Sequence, residues 1–340
     1  MAVRRCRTGG AGPVVVAGTS VSLGRIAGVV LGIGFLMVAA VGIAAHYNRS
    51  ASTVVTLIAS FTPLFVVMAA MVTVAMLISR HWLLAVAGVL LVAVGGWMQL
   101  PLYRGATAAP GGVSIRLMSA NLLFGRADAS VLARTVRADR IDVLTLLELT
   151  PSAVSRLESA GLTKELPYSY TAARGGGGGS GIYSRFPLRD GQRLDGFALN
   201  NLRAVMQLPD APAVSVFALH PIPPYPRPAR QWAADLRRLR PLLSAAARPV
   251  IVGADFNSTY DHALFRDLLA DSGPDGSAPL ADAAVATGSG IVATWPADRR
   301  YPAVIAIDHI LAAGATPVSF RRVDVPGSDH HGVIADIRVS

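Results

Sequence analysis

The sequence predicts an α/β fold, two packed β-sheets flanked by helices, preceded by three transmembrane helices. Three observations lead there. Residues 26–45, 54–78 and 82–100 contain no ionisable side chain. From residue 113 onward, strand-like and helix-like runs interleave, the pattern of sheets packed against helices. Several of the apolar runs end in Asp, Asn, Glu or His, residue types that a packed core does not need at those places.

Each apolar stretch is about as long as the ~20 helical residues that cross a ~30 Å hydrocarbon core. A soluble helix of that length shows a polar stripe; these do not. Gly28, Gly32 and Gly34 would let the first helix pack closely on its neighbours. Pro63 would kink the second, and Tyr47, Trp82, Trp97 and Tyr103 fall near span ends, as interfacial aromatics do. The competing reading of the first stretch is a signal peptide, whose apolar region runs only about 7–15 residues. Arginine counts orient the spans. Arg4, Arg5, Arg7, Arg25 and Arg80 fall on one side, against Arg49 and Arg104 on the other. The N-terminus is therefore expected in the cytoplasm, and everything after residue 100 outside it. Residues 101–112 read as a breaker-rich linker that spans at most roughly 40 Å, holding residues 113–340 near the bilayer.

In that second part, Val113–Asn121 alternates and ends polar. Asp128 caps a helix to Arg140, and Ile141–Leu147 is a buried strand ending at Glu148. Thr150-Pro151 opens a helix with proline at its first position. Strands are expected over 181–184, 202–208, 214–219, 250–253, 303–311, 317–324 and 333–339, and helices over 229–247 and 263–270. No internal repeat is evident. The five glycines 175–179 read as a mobile surface loop, or as a lid whose bare amides approach an anion. Residues 1–110 hold seven arginines and no Asp or Glu, leaving 24 basic and 21 acidic residues for the rest. The formal charge of +10 thus belongs mostly to the apolar third and argues little for nucleic acid. Cys6 is the only cysteine, which excludes an intrachain disulfide and a Cys-based zinc site.

The motifs in order are Ser119-Ala120-Asn121, Leu147-Glu148-Leu149, Gly181–Arg185, Leu219-His220-Pro221, Gly253-Ala254-Asp255-Phe256-Asn257, Ile307-Asp308-His309-Ile310 and Ser328-Asp329-His330-His331. Together they resemble the endonuclease/exonuclease/phosphatase superfamily with its DNase I-like four-layer sandwich. The resemblance implies a role for each residue. Glu148 is the first choice for ligating Mg²⁺, or Mn²⁺ in its place, with Asn121 and Asp329 beside the metal; hard carboxylates suit a hard cation. Asp255 would orient or deprotonate the attacking water, and Asn257 would hydrogen-bond a phosphoryl oxygen. His330 would donate to the developing charge with Asp308 fixing its tautomer, and His220 would protonate the leaving group. Thr294-Trp295-Pro296 resembles a loop near the active site. His309 and His331 alternate away from their neighbours and read as structural.

The three-span start also resembles a bacterial membrane branch linked to teicoplanin resistance and undecaprenyl-pyrophosphate phosphatase activity. The expected function is thus a membrane-anchored, metal-dependent phosphatase or phosphodiesterase acting on a lipid-linked phosphate at the outer membrane face. An extracytoplasmic nuclease or a sphingomyelinase-like phospholipase would use the same residues; a non-enzymatic scaffold would not need them.

Overall fold

A computed structural model describes residues 23–106, 111–209, 211–273 and 276–339. Arg4, Arg5, Cys6, Arg7 and residues 107–110 of the expected linker lie outside that set. The described chain begins with four helices, α1 (Leu23–Ala44), α2 (Thr53–Ala59), α3 (Thr62–Ile78) and α4 (Trp82–Gln99). Leu23–Tyr47 and Trp82–Tyr103 are long and apolar enough to cross a membrane. The expected second span is not one helix. α2 and α3 are bent by 65°, and they make a third span only if counted together. Pro63 lies in the first turn of α3, where its missing N–H costs no intrahelical bond. The chain therefore starts a new helix instead of kinking an old one. A Cβ on Gly32 would press on Met76, and one on Gly42 on Phe65, so close helix packing does rest on glycine. Gly28 and Gly34, expected to share that role, have nothing within 4 Å of a Cβ position.

Two six-stranded sheets follow. The first contains β1 (Val113–Asn121), β2 (Val143–Leu147), β3 (Tyr168–Ala172), β4 (Ser180–Ser184), β11 (Ala315–Val323) and β12 (Gly332–Val339). The second contains β5 (Leu188–Arg193), β6 (Leu202–Met206), β7 (Val214–Leu219), β8 (Val250–Asp255), β9 (Ala281–Asp282) and β10 (Asp308–Ala313). Their orders are β11-β12-β1-β2-β4-β3 and β5-β6-β7-β8-β10-β9. Each has one parallel pair at its centre, β1–β2 and β7–β8, with antiparallel neighbours outside. The two sheets thus share a pattern of strand directions that no sequence repeat announces.

Alternating apolar residues drive the layering. Ile115, Leu117 and Val143 from the first sheet meet Val216, Ile251 and Ile310 from the second in a common core. The outer face of the first sheet is covered by α5 (Ala129–Ala138) and α6 (Pro151–Ser159), through Leu132, Val136 and Leu157. Their starts are fixed by Asp128, which accepts from Ser130 N and Val131 N, and by Thr150, which accepts from Ala153 N. The second sheet is covered by α8 (Ala229–Ser244) and α9 (Ala263–Leu269), through Trp232, Leu236 and Phe265; the short α7 (Leu162–Glu165) and α10 (Ala283–Ala286) complete the helices.

β1, β2, β7 and β8 end at one edge of the sandwich. β10 and β12 run antiparallel to β8 and β1, so they begin there. Asp308 consequently opens its strand, whereas the sequence places it inside a strand over 303–311. Ile305 instead makes an isolated bridge with Trp295.

Side chains lock the helical bundle to this sandwich. His46 Nδ1 lies 2.7 Å from Asp261 Oδ1, which also accepts from Gln99 Nε2 at 2.7 Å. His262 Nε2 donates to Thr56 O at 3.0 Å while its Nδ1 accepts from Thr259 N, and burial pushes its imidazole down to about 4, so the ring is neutral. Arg49 forms a two-pronged pair with Asp267. The segment read as a linker from 101 is docked for its first part: buried Leu102 accepts from Gly290 N, and Ala106 N donates to Ala286 O. An apolar side chain with a cavity to fill cannot act as a free tether.

Gly253 marks the closest approach of the sheets, because a Cβ there would collide with Thr145 Oγ1 and crowd Ser119. Gly253→Val should therefore destabilise the domain by about 1–3 kcal/mol, the usual cost of overpacking. A thermal melt of the purified chain would read this as a lowered Tm; an unchanged Tm would mean the sheets can part without cost.

Candidate active site

All eight residues expected to act sit in one chain of contacts at the strand-end edge. Asn121 closes β1, and its Nδ2 donates to Glu148 Oε1 at 3.2 Å and to Asp255 Oδ2 at 3.1 Å. Asp255 Oδ2 stands 3.6 Å from His220 Nε2 and 3.7 Å from His330 Nε2. His330 Nδ1 donates to Asp308 Oδ2 at 2.9 Å, and its Nε2 lies 3.9 Å from Asp329 Oδ1. Asn257 N donates to Asp255 Oδ1 at 2.9 Å, and its side-chain amide donates to Pro221 O. The amide expected to meet a phosphoryl oxygen is thus held by the loop after His220.

The backbone is bent to make this arrangement. Glu148 (φ 58°), Asn257 (φ 49°), Leu123 (φ 46°) and Phe124 (φ 53°) all occupy the left-handed region, which non-glycine residues enter at a cost and which concentrates at functional sites. Glu148 is held in that turn by Phe124 N, which donates to Oε2 at 2.6 Å. The five-glycine segment lies against it. A Cβ on Gly177 would sit 3.4 Å from Glu148 Cδ, and one on Gly179 would collide with Leu149 O. Leu149 N also donates to Gly179 O, and Asn200 N to Gly178 O. Gly178 and Gly179 are packed wall, closed to side chains by Arg174 and by the Leu149 backbone, whereas Gly175 and Gly176 have open space around a Cβ position.

Electrostatics centre on Asp255 and Asp308, which face each other in the β8–β10 register and are nearly sealed from water. Burial alone would lower the His330 imidazole; the carboxylates of Asp308 and Asp255 outweigh it and lift it to about 10. The imidazole, not Asp308, carries the shared proton, because Asp255 and Asp329 face it as well. His330 is therefore a cationic donor at neutral pH.

Two buried carboxylate oxygens, Asp308 Oδ1 and Asp329 Oδ1, have no hydrogen-bond partner, and unpaired buried acceptors call for a cation or water. Oxygen donors at Glu148, Asn121, Asp255 and Asp329 fit a hard divalent ion. Asp255, Asp308 and His330 also bring one ligand atom each within 4.8 Å of one another. A cation in that grouping would need His330 Nε2 without its proton, which a cationic imidazole does not offer, so the Glu148 side is the better seat. The Asn121 amide is oriented from both ends, by the two carboxylates at its nitrogen and by Leu123 N, which donates to its Oδ1 at 2.9 Å.

Several supports had no clear sequence signal. Asn201 accepts from His220 N at 2.7 Å. Ser328 Oγ ties His330 N to Asn121 O. Thr294 Oγ1 accepts from Ile307 N and Asp308 N, and Trp295 Nε1 donates to Asp329 Oδ2. Ser328 stood inside one sequence motif and Thr294-Trp295 in a second one, whereas Asn201 stood in neither. His309 is held by Asp282 and Ser258 O among Phe256 and Phe265, and His331 pairs with Asp324. Both lie outside the constellation.

A sandwich with Asp, Asn and His side chains gathered at its strand ends, and oxygen donors for a divalent ion beside them, is the machinery of a phosphoester hydrolase. The chain belongs to the Endonuclease/Exonuclease/phosphatase family, which matches residues 118–330. Its fold is similar to that of D. rerio TDP2 solved with a single-strand DNA product, with a TM-score of 0.54 at 17% identity, covering 66% of this chain and 99% of that one. A family protein from Leptotrichia buccalis gives 0.51 at 13% identity, covering 66% and 99%. The endonuclease/exonuclease/phosphatase of Beutenbergia cavernae gives 0.50 at 19%, covering 67% and 72%. At such identities the likeness is one of fold. No curated protein matches the sequence.

Held above its unfolded value of 6.5, the His330 imidazolium stabilises the fold fully below that pH, and the contribution fades as pH rises through about 10. In EDTA, the gap in Tm between wild type and His330→Asn should therefore narrow as pH rises from 6 to 11. A constant gap would mean that His330 is not charged in the folded chain.

Proposed function

We propose that this protein is a membrane-anchored, Mg²⁺-dependent phosphoesterase that cleaves a lipid-linked phosphate at the outer face of the membrane, with a polyprenyl pyrophosphate as the favoured substrate. One observation carries the reading. The loop Phe256–His262 begins with catalytic-site residues and ends in Asp261 and His262, which bond the helical bundle through His46, Gln99 and Thr56. Apolar helices and reaction centre are thus one rigid piece. Exposed apolar residues such as Val30, Phe35, Val67 and Leu90 give the bundle a surface suited to hydrocarbon. Arg25 and Arg80 flank the helix ends remote from the catalytic domain, while Arg49 is on its side. That bias favours the catalytic domain outside the cytoplasm.

Chemistry follows from the residues in place. Mg²⁺, seated by Glu148, Asn121 and Asp329, would polarise the phosphoryl oxygens. Asp255 takes a proton from the attacking water as its oxygen bonds to phosphorus. His330, cationic and fixed by Asp308, donates to the phosphoryl oxygen on which charge develops. His220, its Nδ1 free of partners, hands a proton to the departing oxygen as the P–O bond breaks.

The full chain in lipid nanodiscs should release phosphate from polyprenyl pyrophosphate with Mg²⁺ and stop in EDTA. Asp255→Ala should lower kcat by roughly 10²–10⁴, the range for losing an acid–base group. Sphingomyelin and single-stranded DNA belong in the same panel; cleavage of either at a higher rate than the lipid pyrophosphate would replace this reading. Protease added to intact cells should digest the catalytic domain, and its survival would reverse the sidedness.

A further inference from the structure

The bundle end does not seal flush against the catalytic domain. A crevice between them runs from Ser60, Pro63 and Leu102, past Ile291 and Val304, to Asp308. This slot has an empty volume of about 520 Å³ including its open mouth.

The lining is mixed, and Pro63, Leu102, Ile291 and Val304 supply its apolar side. Two further carboxylates border it, Asp261 and Asp282. Asp261 Oδ1 is engaged by His46 and Gln99, while Asp282 is engaged by His309 and by Ala284 N. Asp282 thus has both oxygens bonded, whereas Asp308 Oδ1, at the inner end, has no partner. At the mouth, Ile291 and Val304 stand 38% and 46% exposed and form an apolar rim. One end of the slot touches the start of α3; the other touches the carboxylate that holds His330. A chain lying in it would have its polar end at the reaction centre and its tail at the helix bundle.

We propose that this slot binds the hydrocarbon chain of the substrate lipid next to its phosphate, admitting it sideways from the bilayer between Pro63 and Val304. The inference rests on the lipid-phosphate reading above and adds a subsite to it. Each buried methylene tightens binding by roughly fourfold, so the slot makes turnover depend on chain length until it is filled.

The test uses the full chain with Val304→Trp and, separately, Ser60→Phe, both at partly exposed positions that tolerate bulk. The probes are polyprenyl pyrophosphates of increasing length in detergent micelles, with bis(p-nitrophenyl) phosphate as a tail-free control. In wild type, kcat/KM should climb with the first prenyl units and then level off. Each variant should flatten that climb and lose at least tenfold on the long chains, with the control rate unchanged. A climb that persists in both variants overturns the slot, as does an equal loss on the tail-free control. Failure of the wild type to cleave any of the lipids would instead sink the lipid reading itself.

Discussion

The organising constraint is a pair of buried carboxylates. Register places Asp255 opposite Asp308 across β8 and β10, and neither is open to water. Two like charges at that depth cannot both persist without compensation. His330 supplies part of it, donating to Asp308 and facing Asp255 from 3.7 Å. Asn121 supplies a neutral donor to Asp255 from the other sheet. The two sheets are therefore held together at this edge by the same bonds that set up the chemistry. Gly253, two residues before Asp255, lets them come close enough to form those bonds.

A second buried polar cluster fixes where this edge sits relative to the helices. Asp261 is nearly sealed from water and is satisfied only by His46 and Gln99, from two different helices of the bundle. Breaking such a group leaves a buried charge without a partner, which costs far more than the intact bond contributes. Asp261 lies six positions after Asp255, so the loop that docks the helical bundle is the one that leaves the buried carboxylate pair.

Much of this was written locally and some was not. The strand ends at Asn121, Glu148, His220 and Asp255 could be read because an apolar run that stops on a polar residue needs only its own neighbours to be recognised. Asp128 and Thr150 announced their helices by the same local logic. The break between α2 and α3 was hidden, because its apolar composition continues unbroken through Ser60 and Phe61. His46 and Asp261 are 215 positions apart, and no periodicity connects them. The packing of Gly179 against the backbone at Leu149 was also hidden, because composition records conformational freedom and not a glycine's neighbours. Asn201 carried no signal, since an Asn-Asn pair before a strand resembles any turn.

The catalytic set is common ground for a nuclease, a phospholipase and a lipid pyrophosphatase, so discrimination has to come from what surrounds it. A polyanion needs unspent cations along a groove. In this domain Arg116, Arg137, Arg185, Arg240 and Arg321 are each committed to an Asp or Glu, and the excess positive charge after residue 110 is small. Exposed pairs of this kind add little stability, yet they cancel the field that would gather a phosphate backbone. What lies beside the reaction centre instead is the end of an apolar helix bundle, with a crevice leading inward from it that Pro63, Leu102, Ile291 and Val304 help to line. A long hydrocarbon ending in a phosphate complements that pairing of surfaces, and the burial of its chain would supply binding energy that the sparse free charge cannot.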